Sequence, residues 1–103
     1  DICGPASSIN IAHGIKKSSP EKKVLAITFE DAFFHSGMPA FINTLYNNSS
    51  YVLLIITKTR EQEIDNLLKG WGFTNTVHLT NINEIERFTD TDELTVVFYR
   101  GMI

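Results

Sequence analysis

Apolar residues in this chain fall into short unbroken blocks separated by helical stripes. Lys23 to Phe29 is nearly all apolar, and so is Tyr51 to Thr57. Blocks of that kind are what strands buried on both faces of a parallel sheet look like. Thr76 to Leu79 and Leu94 to Tyr99 read as two further strands. Between the blocks the apolar period lengthens to that of a helix. Pro5 to about Ser18 reads as a small-residue helix, with Ile9, Ala12 and His13 on one face, and Ser19-Pro20 ends it. Ser36 to Asn47 reads as the next helix, with Ser36 as its cap and Pro39 in its first turn, where a missing N–H costs nothing. Thr59 and Gln62 have the spacing of a capping box. Behind them Ile64, Leu67, Leu68 and Trp71 form a core stripe that Gly70 and Gly72 close. Asn81 and Glu84 open a short helix carrying Ile82, Ile85 and Phe88.

The resulting order is α-β-α-β-α-β-α-β. It predicts an α/β fold: a mostly parallel sheet with helices on both faces and right-handed connections. The 103 residues suit one domain, residues 1–103. The chain opens at Asp1 without a methionine and reads as a processed product or, the leading reading, a piece excised from a longer protein.

Composition removes several classes of function. A formal net charge of −3 gives no reason to expect nucleic acid as a partner. Lys16, Lys17, Lys22 and Lys23 flank Ser18-Ser19-Pro20 and read as a solvated loop. Cys3 is the single cysteine, so neither an internal disulfide nor a cysteine-ligated iron–sulfur cluster is built within the chain. That usage fits a cytoplasmic setting. The longest apolar run, Tyr51 to Ile56, is far too short to span a bilayer.

Candidate chemistry sits where the first strand gives way to a helix. Parallel α/β sheets bind ligands at the carboxyl ends of their strands. Glu30-Asp31 stands at that junction, followed by His35, Ser36 and Gly37. Ser36 and Gly37 at a helix start would offer N–H groups to an anion, with His35 beside them. His13 and His78 have no partners at metal-ligand spacing and read as structural, and Trp71 and the phenylalanines fit core stripes.

The segment Phe33-Phe34-His35-Ser36-Gly37, with the helix that carries Ile42-Asn43 and Leu45-Tyr46-Asn47, resembles the thiamine-diphosphate-binding domain of the indolepyruvate:ferredoxin oxidoreductases, a 2-oxoacid oxidoreductase family. Ala6 to Gly14 resembles that family's small-residue helix ending in Ala-His-Gly. Leu68 to Phe73 and Leu94 to Arg100 resemble its glycine turn and last strand. The resemblance implies thiamine diphosphate and magnesium as cofactors, and a pyrimidine-binding partner domain or self-association to complete the site. It places His35, Ser36, Gly37 and Lys58 at cofactor-binding positions and Glu30, with Asp31, at the metal position.

This chain departs from the family at the ligands. The family's Gly-Asp pair is Phe29-Glu30 here, and its second ligand, an asparagine, is Lys58. An ammonium has donors and no lone pair, so it cannot ligate a metal. The expectation is a strand-end pair, Glu30 facing Lys58 where the ion would lie. The leading reading is therefore a degenerate, non-catalytic thiamine-diphosphate-fold domain with a structural, assembly or small-anion-binding role. The alternative is a functional domain that completes its site with a partner. A third reading, a receiver-like signalling domain, draws on Glu30-Asp31 and Lys58 but lacks an aspartate at the end of the second strand.

Overall fold

The computed structural model describes residues 24–46, 50–88 and 93–101. The expected helix over Pro5–Ser18, with Cys3 and His13, lies outside the described residues. Among the described residues four strands form one sheet: β1 (Leu25–Phe29), β2 (Val52–Thr57), β3 (Thr76–Leu79) and β4 (Thr95–Arg100). Their order is β1-β2-β4-β3 and every pairing is parallel. The α/β reading holds, and the predicted strand blocks match within a residue or two.

Handedness then fixes the layers. The steps β1 to β2 and β2 to β3 move the same way across the sheet, so right-handed crossovers put both helices on one face. The step from β3 back to β4 puts its connection on the other face. The first crossover is a continuous helical run: an α turn Glu30–Ala32, a π-helical segment Phe33–Gly37 and the α-helix Met38–Tyr46, together labelled α1. The second is α2 (Glu61–Gly70), and the third is a 3-10 segment, Ile82–Arg87.

Two apolar cores result. Phe33 and Phe41 of α1 and Ile64 and Leu68 of α2 pack on Ala26, Leu53, Ile55, Val96 and Phe98. On the opposite face Ile82, Ile85 and Phe88 pack toward Val52, Leu54, Ile56, Leu79 and Val97. The phenylalanine reading holds for Phe33, Phe41 and Phe98, which are fully buried. It fails for Phe29, which is 53% exposed on the second face with Leu25 (39%) and Ile27 (41%). The 3-10 segment reaches β2 to β4, and among the described elements none covers this stripe of β1.

Two helix starts differ from expectation. The run begins at Glu30, so Ser36 lies inside it and caps nothing; its hydroxyl donates back to the Ala32 carbonyl at 3.3 Å. Pro39 stands in the first turn of Met38–Tyr46, directly after the π-helical segment. A wider turn there accommodates a residue with no N–H to give to the preceding turn. The Thr59–Gln62 capping box does not form either. Arg60 is the N-cap residue of α2 and no side chain of its own caps the helix.

Candidate functional site

Register sets the site. Phe29 pairs with Ile56 at the carboxyl ends of β1 and β2, so Glu30 and Lys58 leave the sheet side by side. The expected meeting of carboxylate and ammonium does not occur. Glu30 is 93% buried by its 7% exposure, and its Oε1 accepts main-chain N–H groups of the β2–α2 turn. The donors are Lys58 at 2.8 Å, Arg60 at 3.1 Å and Thr59 at 3.3 Å. The Lys58 side chain is exposed, and no ion pair joins it to Glu30 among the described residues. The first N–H groups of a helix lack intrahelical acceptors. Here a carboxylate from the neighbouring strand end serves one of them, that of the N-cap residue Arg60, together with the two turn N–H groups before it, and its charge suits the positive end of the helix.

The electrostatics follow from that geometry. Burial alone pushes the Glu30 carboxyl up, but the N–H groups of Lys58, Arg60 and Thr59 and the Arg60 charge outweigh it. The group is held below its ordinary value and stays ionised. Arg60 is itself fixed. Its guanidinium carbon lies 3.5 Å from the centre of the Phe34 ring, and its Nη2 donates to Glu63 at 2.8 Å. That hydrogen bond lowers the Glu63 carboxyl and holds Arg60 protonated.

The remaining site residues are spread around this knot. Asp31 is exposed in the first turn of the helical run. His35 and Ser36 are exposed and Gly37 buried within the π-helical segment. Ser36 and Gly37 thus lie along the run and away from its free N-terminal N–H groups. Phe29 has an extended backbone, φ −106° and ψ 156°, which any residue adopts.

Magnesium bridging a diphosphate needs several oxygen ligands in near-octahedral array. The donor set here does not fit. Glu30 is drawn into the turn by main-chain donors, and Lys58 offers no lone pair where a second ligand is needed. Among the described residues no group of three or more histidine, cysteine, aspartate or glutamate side chains is placed to hold a metal ion.

Sequence reasoning missed a second polar cluster. Glu61 and Asp65 of α2 face β3, where His78 Nδ1 lies 3.0 Å from Glu61 Oε2. Asp65 accepts from Lys69 at 2.9 Å and from Thr76 at 3.3 Å. The His78 ring stacks on Phe98 at 4.9 Å. The i, i+4 spacing of Glu61, Asp65 and Lys69 was the available signal. It ties α2 to β3, consistent with a structural His78. An apolar groove of about 480 Å³, lined by Ile42, Leu45, Tyr46 and Trp71, opens at the far end of α1 and holds none of the site residues. No helix among the described residues is long and apolar enough to cross a membrane.

No family model and no solved structure matches this chain. Three curated relatives do, each named indolepyruvate oxidoreductase subunit IorA. Those of Pyrococcus horikoshii and Pyrococcus abyssi are 34% identical over 62 residues, covering 48% of this chain and 10% of each relative. That of Thermococcus kodakarensis is 30% identical over 63 residues, with the same coverage. The matched stretch is about a tenth of the relatives' length. Nothing in the fold or these relatives supports the receiver reading. Over about half its length this chain is related in sequence to indolepyruvate oxidoreductase subunits.

Proposed function

We propose that this chain is a thiamine-diphosphate-fold domain of a 2-oxoacid oxidoreductase-like protein whose cofactor site is degenerate, and that its role is assembly. The observation that carries the reading is the donor set at the strand ends. Glu30 points its carboxylate into the β2–α2 turn, and Lys58 stands where the resembled family has a metal-binding asparagine. The assembly role draws on β1. All-parallel sheets are ordinarily covered on both faces. Leu25, Ile27 and Phe29 are exposed on one face of β1, which no other described element covers. A further segment of the larger protein would pack there, in keeping with relatives about ten times longer than the matched stretch.

A second reading keeps the site functional, completed by a pyrimidine-binding partner. The π-helical turn at Phe33–Gly37 favours it, since such turns recur at functional sites. Calorimetric titration of the chain with thiamine diphosphate and magnesium tests the first reading directly, and binding gained by a Phe29→Gly, Glu30→Asp, Lys58→Asn variant separates it from the second. The degenerate reading expects no binding heat. Saturable, magnesium-dependent binding overturns it.

A further inference from the structure

The strongest unexplained contact in the molecule is a carboxylate buried among main-chain donors at the point where a parallel sheet ordinarily receives a ligand. Three N–H groups on a single oxygen exceed what one N-cap side chain usually collects, since an ordinary cap satisfies one or two. The donors and the acceptor also come from different strand ends, Glu30 following β1 and the turn following β2. Glutamate has the length to reach across. Aspartate, shorter by one methylene, would leave its carboxylate nearer its own strand end.

We propose that Glu30 is an internal cap that closes the β2–α2 turn, binding the ends of β1 and β2 together and withdrawing its carboxylate and the Lys58–Arg60 N–H groups from ligands. The inference deepens the degenerate-site reading by naming what closes the site, and in that sense rests on it. Neighbouring side chains hold the closed form. Arg60 lies against Phe34 and Glu63, so the residue that ends the turn is anchored to both helices. The charged groups around the carboxylate are Asp31 on its own helix, Lys58 and Arg60 in the turn, and Glu63 on α2. Among these, Arg60 is the cation that acts on the carboxylate. Of the turn's side chains, Lys58 and Thr59 stay exposed, so Glu30 holds the turn through its backbone N–H groups.

Amide resonances of Lys58, Thr59 and Arg60 in a proton–nitrogen correlation spectrum test this directly. Glu30→Gln keeps the side chain's shape and removes its charge. All three amides are expected to move upfield in that variant, and the folded state to lose stability. Unmoved amides in Glu30→Gln overturn the proposal. Should that variant not fold, Glu30→Asp gives the same readout, because a retracted carboxylate also releases the three donors. Manganese, added to the unaltered chain at substoichiometric amounts, is the second probe. No selective broadening of residues 30, 31 and 58–60 is expected, and selective broadening there overturns the closed turn. The two readings fail separately. Cofactor binding by calorimetry with these amides unmoved on addition rejects the degenerate site and leaves the cap standing. Unmoved amides in the variant reject the cap whatever the calorimetry shows.

Discussion

A hydroxyl buried without a partner marks the residue where this fold gives up stability. Thr28 is fully buried in β1, and its Oγ1 has no hydrogen-bond partner. Leaving such a group unpaired costs roughly 1–3 kcal/mol, while an apolar group of the same shape avoids that cost. Thr28→Val should therefore raise stability by about 1 kcal/mol, read from chemical denaturation. The contrast lies between α1 and the residue before β2, where Thr44 Oγ1 and Tyr51 Oη sit 2.9 Å apart, both buried. Thr44 also donates to the Ala40 carbonyl at 3.2 Å, so the Tyr51 proton points to Thr44. Tyr51→Phe removes one bond and leaves Thr44 bonded, at about 1 kcal/mol; Thr44→Val strands the tyrosine hydroxyl and should cost about 2 kcal/mol. Burial pushes the Tyr51 hydroxyl up to about 12. A raised folded-state value means the contribution is complete below the ordinary value of 10 and is lost as pH rises toward 12. Tyr51→Phe should flatten that alkaline loss, measured as unfolding midpoint against pH.

Elements were legible where their signals are local. The end of α2 is the clearest case. Gly70 and Gly72 announce a stop, and Gly72 adopts φ +84°. Its N–H donates to the Lys69 carbonyl at 2.9 Å, and Phe73 N–H donates to Leu68 at 2.9 Å. That pair of bonds is a Schellman closure, with Phe73 and Leu68 as its apolar contact. A Cβ at Gly72 meets nothing within 4 Å, so the penalty is conformational alone. Gly72→Ala should cost about 1 kcal/mol by thermal unfolding, and Gly70→Ala, a helical position with equally open surroundings, should not destabilise. The start of the same helix was not legible. Thr59 and Gln62 had the right spacing, but Glu30 takes the Thr59 N–H from the end of β1, and the Gln62 side chain donates to Asn66 instead. No pattern within the turn's own sequence encodes a cap that arrives from another strand. The start of α1 failed for a related reason. Ser36 and Pro39 are both compatible with a helix start, yet the π-helical segment lets the chain pass through them without one. Glu30 and Lys58 were rightly placed at neighbouring strand ends, but composition cannot tell a side-chain ion pair from a bond to the main chain.

Across the whole molecule, strand order and handedness explain why one face of the sheet is better covered than the other. Three crossovers serve four strands, and the two longer ones fall on the same face. The short 3-10 connection, alone among the described elements on the second face, reaches only as far as β2. The consequence shows at one row of the sheet, where Ile27 pairs in register with Leu54. Both are aliphatic and lie on the same face, yet Ile27 is 41% exposed and Leu54 is 2% exposed. Edge strands of soluble proteins usually carry charge or proline against unwanted pairing. Leu25 to Phe29 carries neither and has the sequence of an interior strand. Neighbouring substitutions should therefore behave oppositely. Leu54→Ala opens a cavity in the second core and should cost about 2–5 kcal/mol. Ile27→Lys should change stability by about 0.5 kcal/mol or less, because that side chain already meets solvent. Its effect should appear in association. If the open stripe is where another part of the assembly packs, sedimentation of the unaltered chain should show concentration-dependent self-association through the bare strand, and Ile27→Lys should abolish it. Equal sedimentation of the two proteins at all concentrations would remove self-association through β1 and leave the degenerate site to stand without it.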